Sequence, residues 1–577
     1  MGDLLYNEKD GLAVSGYAGD RTVLLAFDLP EKKTKDLAGF SIGVSKPGKE
    51  PDPKHRYFLE NRLSFDKTVT KKTAYDAAIW TPSDKAPFQA FHWAHYPALG
   101  FGRYTYTVFA NYFDGDSIRP GPSVDLAVNL APPAKGIVNI GFARTMVSSQ
   151  AYVKKFKNAP LYPSPQSIEP YPAEYTPRHI WLGAHARELV MGFLNNCIHD
   201  PGATLDAFTF DLDESAVIDA FCRLGPRARV YQDNSKSHCR VSTDVAGMQH
   251  KDAPKKELAH ETEAVRAMKA EHVAVKTGHF TSLSHNKVFI RRRDGVAESV
   301  LTGSANFTIR GLYVQANSVM VFDDPRVAGL YAQAFDQAWA GSTAEFKKSE
   351  IAKDWHEINI GDSRYLFSFA PHGTAYPLKA ISDAINGSKR SVLFAMMQVA
   401  TSTGVAVDAI KKLPEREDLY SMGVIQNEGE INSFKPDVGG KNFTTTSPSY
   451  LAKNTPPPFD TEISGGKGKV IHHKLVVCDF NGDNPVVFCG SSNLAAGGET
   501  GNSDNLMAIY DRNVAVMFAV ETIRQYQHFR FRSKQEKATE KKPLKLDTTD
   551  AWTLPFYETG NIYERERQAL MYEKKKK

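Results

Sequence analysis

The chain has 577 residues, 42% apolar and 24% charged, a profile that fits about three globular domains and excludes disordered, collagen-like and disulfide-scaffold classes. Lys plus Arg number 71 against 66 Asp plus Glu, so the net charge of +5 suits an anionic partner without demanding one. No apolar run approaches the roughly 18 residues that a membrane-spanning helix needs.

The first residues, MGDLLYNEKDG, carry acids where a signal peptide carries bases, and they lack its apolar run. The expectation is a cytoplasmic protein, or one exported without a signal peptide. The five cysteines, Cys197, Cys222, Cys239, Cys478 and Cys489, are odd in number and form no CxxC pair. They point to reduced thiols rather than to disulfides or a zinc site. No cofactor is expected.

Residues 1–131 read as all-β. Short alternating runs such as VLLAF (23–27) and YTYTVFA (104–110) are separated by Gly, Pro and Asp turns. Tyr104, Tyr106, Val108 and Ala110 share one strand face. The stretch YTYTVFANYFDGDSIRPGPSVDLAV resembles the last two strands of a fibronectin type III sandwich, which implies a binding or spacer module with Trp80 and Trp93 as core aromatics. His92 and His95, in FHWAHY, read as packing residues. The Ala131-Pro132-Pro133-Ala134 step marks a boundary.

From residue 136 the pattern is α/β. IVNIGF (137–142), LDAFTFD (205–211) and RVYQD (229–233) alternate with helical stretches such as HARELVMGFLNNCI (185–198). YLFSFA, YPLKAISDAIN, SVLFAMMQVA, VAVDAIKKL and SMGVIQ repeat the strand–helix order from residue 363. Duplication is the economical reading, with one lobe at 135–350 and a second at 351–532. Residues 432–468 read as a structureless loop that gates a substrate or merely covers surface. Residues 533–577, rich in Lys and Glu, read as a solvated tail with weak attraction to anionic surfaces.

The chemical signal occurs twice, as HNKVFIRRRDGVAESVLTGSANFT (285–308) and HHKLVVCDFNGDNPVVFCGSSNLA (472–495). Each places His-x-Lys at the head of a strand and Gly-Ser-x-Asn after the next. Strand alternation puts His285 with Lys287, and His472 with Lys474, while Asn286 and His473 face away. Each hairpin is expected to return its own Asn, Asn306 or Asn493, beside its His and Lys. One imidazole can attack phosphorus while the other protonates the leaving oxygen. Lys287, Lys474, Asn306 and Asn493 then supply donors to the phosphoryl oxygens, so no metal is required.

This constellation resembles the phospholipase D superfamily, whose HxKxxxxD signature occurs twice in two-lobed members, bacterial ones included. The resemblance covers roughly residues 135–532 and implies one active site complete within the chain. Motif 2 is intact, with His472, Lys474 and Asp479 at the family spacing. GSSNLAAGGETGNSDN (490–505) follows the bacterial nuclease branch, and Asp504 matches the acid that orients the catalytic His. Motif 1 departs from the pattern. Arg292 stands where Asp is expected, with Asp294 two positions on, and Asn317 replaces the matching acid.

By resemblance His285 is the nucleophile, forming a phosphohistidine, and His472 the general acid and then base. Ser304 and Ser491 belong to the supporting set. The expectation is that Asp504 serves His472 and that Asn317 serves His285. A phospholipid headgroup ester is the favoured substrate, hydrolysed or transferred, with peripheral membrane contact allowed. Nucleic acid cleavage by the same site is the alternative, and a non-catalytic binding protein the third reading. Against a nuclease stand the mild charge and the balanced acids and bases of PKKELAHETEAVRAMKA (254–270).

Overall fold

The computed structural model describes residues 5–572 apart from 46–54, 74–79, 97–99, 145–148, 164–165, 236–259, 398, 400, 427–442 and 449–469. At the N-terminus two four-stranded sheets face each other. One orders the strands Leu5–Lys9, Leu12–Ala18, Val23–Asp28 and His92–His95; the other orders Ser117–Leu130, Gly102–Asp114, Leu37–Ser45 and Arg56–Phe58. Tyr104, Tyr106, Val108 and Ala110 all point into this sandwich, as their alternation predicts. Trp93 stacks on Phe88 at 3.7 Å, whereas Trp80 is only half-buried and lies beneath Arg62. His95 bonds the Tyr106 hydroxyl at 2.9 Å, a packing role.

Lobe 1 is a seven-stranded sheet of β1 (Val138–Phe142), β2 (Ala203–Thr209), β3 (Ala228–Asp233), β4 (Ala274–Gly278), β5 (Val288–Arg293), β6 (Val296–Gly303) and β7 (Ser318–Phe322). Their spatial order is β1-β7-β6-β5-β2-β3-β4. Lobe 2 contains β8 (His356–Ile360), β9 (Ser363–Ala370), β10 (Ser391–Met396), β11 (Tyr420–Ile425), β12 (Phe443–Thr446), β13 (Lys474–Cys478), β14 (Val486–Gly490) and β15 (Asp504–Tyr510). Its order is β8-β9-β15-β14-β13-β10-β11-β12, which repeats lobe 1 with one added edge strand. The duplication read from the sequence is therefore a repeat of strand order. β12 corrects the structureless reading of its four residues; the remainder of the supposed gating loop, apart from the short stretch that follows β12, lies outside the described residues.

Both faces of the lobe 2 sheet are buried, so its strands read as unbroken apolar runs. Leu393 and Ala395 of β10, with Leu475 and Val477 of β13, join the core shared with lobe 1. Val392, Phe394, Val476 and Cys478 point the other way, onto the helices Pro377–Gly387 and Val405–Lys411. The lobes meet through Met320 against Cys489 and through Phe322 against Tyr365 and Phe367. Among the described residues no helix is long and apolar enough to cross a membrane, and Cys197, Cys222, Cys478 and Cys489 are unpaired.

The segment after residue 533 is not a solvated tail. The long helix Arg512–Lys537 runs through that boundary, and the chain then straps back across the sandwich. Leu544 bridges Val69, Trp552 Nε1 donates to Leu37 O at 2.9 Å, and Phe556 enters the sandwich core. Aromatic side chains spaced among the lysines drive this docking, because their burial outweighs the solubility of the charged residues between them. Phe556→Ala should cost the sandwich about 3 kcal/mol, read as an earlier urea transition. An unchanged midpoint would detach the strap from the sandwich.

Candidate active site

The two His-x-Lys segments lie where the lobes join. Ser284 forms a parallel bridge with Ser503, and Ala316 forms one with Ile471. His285 N donates to Ser503 O at 2.8 Å, and His472 N donates to Ala316 O at 3.2 Å. Each histidine therefore sits one residue away from a crossing of the seam. Both are nearly buried, as are Lys287 and Lys474. Lys474 Nζ donates to His472 O at 2.8 Å, and Lys287 Nζ likewise donates to His285 O.

The glycines of the two GSxN segments are needed where they stand. Gly303 has φ +151°, and a Cβ there would lie 2.2 Å from Ser318 O; Gly490 has φ +149°, with Asn505 O at 2.4 Å. This close approach of β6 to β7, and of β14 to β15, aims the following serines. Ser304 Oγ donates to Asn317 Oδ1 at 2.8 Å, and Ser491 Oγ donates to Asp504 Oδ1 at 2.7 Å.

Those two acceptors then reach across the seam, which corrects the same-lobe pairing expected from the sequence. Asp504 of lobe 2 accepts from His285 Nδ1 at 2.8 Å, and Asn317 of lobe 1 accepts from His472 Nδ1 at 2.9 Å. The reason is the register of the bridges. Ser503 is held opposite Ser284 and Ala316 opposite Ile471, so the next residue along each strand meets the other lobe's histidine.

The pairing fixes both tautomers. Asp504 accepts only, so Nδ1 of His285 carries the proton and Nε2 keeps its lone pair. Asn317 commits Nδ2 to Gly311 O at 2.9 Å, which leaves Oδ1 for His472. Ser304 O, at 3.1 Å, gives His472 Nδ1 a second acceptor. The residues expected to face away complete the seam instead. Asn286 bonds Ser503 Oγ and Asn505, both at 2.7 Å, while His473 is buried 3.7 Å from Glu521.

Burial, and next to it Lys287, push His285 down to about 4 against the pull of Asp504; Lys474 of the other lobe adds to the fall. His285 is thus neutral at ordinary pH. Burial alone would raise Asp504, but His285, Lys287 and the Ser491 hydroxyl outweigh it and keep the carboxylate below its usual range.

Asn306 lies almost fully buried with Nδ2 donating to Asp211 Oδ2 at 2.7 Å; Asn493 is half-buried. One expected member stands elsewhere. Asp479, at the far end of β13, accepts from the backbone N–H groups of Lys389, Arg390 and Ser391 and pins the turn before β10. In lobe 1 Arg292 takes over this anchoring by another route, bonding Asp206 at 2.6 Å and Asp336 at 2.8 Å while Arg229 binds the same pair.

Sequence reading missed the segment after β2. The Phe210 ring meets His285 edge-on at 4.8 Å, and the Lys287 ammonium lies 4.8 Å over the same ring. Next to it stand Asp211 and Asp213, with Glu261 facing them from the helix His260–Ala270. Burial raises Asp213 to about 6, and burial with Asp211 raises Glu261 to about 8. The available signal was FDLDE itself, acids clustered at the C-terminal end of a parallel strand. Among the described residues no group of three His, Cys, Asp or Glu side chains is placed to hold a metal ion.

A family model described as "Cardiolipin synthase, PLD-like domain" matches residues 206–339. That stretch, most of lobe 1, is thus similar to a phospholipase D-like domain. Lobe 2 lies outside that match and is tied to it by the repeated strand order. No curated protein matches the chain. Among solved structures, phosphatidylserine synthase of Haemophilus influenzae Rd KW20 is 13% identical, with 60% of this chain and 85% of that one covered at a TM-score of 0.39. Polyphosphate kinase of Porphyromonas gingivalis is 10% identical, with 84% and 74% covered, also at 0.39. Nuc of Salmonella typhimurium, of the phospholipase D family, is 17% identical, with 36% and 95% covered, at 0.20.

The crossed pairing makes a signed prediction. On the expected nucleophile role the form of His285 that reacts is neutral, so the acid limb of kcat/KM should lie toward pH 4, the value to which the group is pushed. Asp504→Asn withdraws the charge that raises His285. The limb should move lower still, while kcat falls on the order of a hundredfold. A shift confined to the basic limb would return Asp504 to His472.

Proposed function

We propose that the chain is a phosphodiesterase that cleaves, or transfers, phospholipid headgroup esters through a phosphohistidine on His285. The observation that carries this reading is the crossed anchoring of the two Nδ1 atoms, which makes Nε2 the reactive nitrogen of each histidine. In the first step His285 Nε2 attacks phosphorus and the P–O bond to the alcohol breaks, with His472 Nε2–H protonating the leaving oxygen. In the second, His472 Nε2 takes a proton from water, or from an acceptor alcohol, whose oxygen displaces His285. Phosphorylation makes His285 cationic, and among the described residues Asp504 is the carboxylate hydrogen-bonded to it, which supports the nucleophile assignment. Lys287, Lys474, Asn306 and Asn493 stabilise the phosphoryl oxygens.

A phospholipid substrate is supported by the description of the matched family model and by the acidic side chain of Asp211 against lobe 1's Asn306, which disfavours a polyanion. A nucleic acid substrate remains the second reading, favoured by the nuclease-like text of residues 490–505. The strand orders of the N-terminal sheets support a fibronectin type III-like spacer, and the unpaired thiols support a reducing, cytoplasmic setting.

The test is turnover of phosphatidyl esters against DNA and RNA with excess EDTA present. Lipid turnover that survives EDTA is expected, whereas complete loss restored by a divalent ion would remove the two-histidine mechanism. His472→Ala, given an activated aryl diester whose leaving group needs no proton, should stall with the phosphoryl group on His285 by mass spectrometry. An adduct found only on His472, in the reciprocal His285→Ala variant, would reverse the two roles.

A further inference from the structure

We propose that Asp211 is a positioning residue for the reaction, holding the Asn306 amide in the one orientation that presents its donor to the phosphoryl group. The inference rests on the phosphodiesterase reading and assigns a task to a carboxylate that neither histidine uses. Residues 210–214 leave β2 and run alongside residues 306–309. Phe210 packs on His285, Leu212 bridges Phe307, Glu214 N donates to Phe307 O at 3.1 Å, and Asp213 accepts from Ile309 N at 2.8 Å. This strap fixes the backbone on both sides of Asp211.

Asp211 Oδ2 then accepts from Asn306 Nδ2 at 2.7 Å. An amide side chain can turn over and exchange N for O with little change in shape, so packing alone does not set its direction. A carboxylate, which only accepts, removes that freedom: the turned-over amide would place Oδ1 against it. One Nδ2 hydrogen is committed to Asp211, and the second remains for a phosphoryl oxygen. Asn306 Oδ1 is buried with no hydrogen-bond partner among the described residues, so no bond to the amide oxygen does the fixing. Asn306 belongs to lobe 1, so the donor anchored by Asp211 lies on the His285 side of the site.

Four variants assayed with bis-para-nitrophenyl phosphate test this. Asp211→Ala should lower kcat by roughly ten- to a hundredfold, short of the loss of a whole donor, with KM nearly unchanged. Asp211→Asn, whose oxygen still accepts but whose NH2 also tolerates the turned-over amide, should recover only part of the rate. Asp211→Glu keeps charge and fold but displaces the acceptor by a methylene, and should be as poor as Asp211→Ala. Asn306→Ala combined with Asp211→Ala should be no slower than Asn306→Ala alone, because the carboxylate acts only through that amide. Should Asp211→Ala fail to fold, the contrast between Asp211→Asn and Asp211→Glu decides the matter. Wild-type rates in Asp211→Ala and Asp211→Glu, or losses that multiply in the double variant, would overturn the role while leaving the phosphodiesterase reading intact. A wild-type chain that turned over no phosphodiester at all would overturn both.

Discussion

Two hydrogen bonds across the lobe seam, from His285 to Asp504 and from His472 to Asn317, are the constraint on which the rest of the site depends. Each joins a histidine of one repeat to an acceptor of the other, and each acceptor is held by a serine of its own repeat. Neither lobe can orient its own imidazole. The extensive apolar contact between the two sheets thus sets the chemistry as well as the fold, since a slip of one residue at either bridge would replace Asp504 or Asn317 with a neighbour.

The repeat is symmetric in backbone and asymmetric in charge. Asp504 gives His285 a full negative charge inside a buried seam, where such a charge acts far more strongly than in water. Asn317 gives His472 only a dipole. Around the first site stand Phe210, Asp211 and the acids that follow, and the Arg292 cluster braces the strands beneath. Divergence of these few side chains makes two half-sites of like backbone unequal, and the proposed mechanism uses that inequality to separate nucleophile from proton carrier.

Much of this was legible in the sequence. The duplicated HxK and GSxN text located the histidines, lysines and serines, and period-two alternation located the faces of the sandwich strands. Apolar runs such as SVLFAM announced strands buried on both faces. Which acceptor served which histidine was not legible, because local spacing describes one repeat while the pairing is set by contact between repeats some two hundred residues apart. Asp211 escaped for a related reason, its partner Asn306 lying 95 residues away, beyond another strand of the same lobe. The strap after residue 537 was misread because the lysines dominate its composition, while Trp552 and Phe556, few but large, decide where it packs.

The crossed pairing is tested most directly by nitrogen-15 spectra of histidine-labelled protein, with ring signals assigned from His285→Gln and His472→Gln. On Asp504→Asn substitution the His285 ring nitrogens should shift while those of His472 stay in place, and Asn317→Ala should do the converse. A His472 response to Asp504→Asn, with His285 unmoved, would contradict the account.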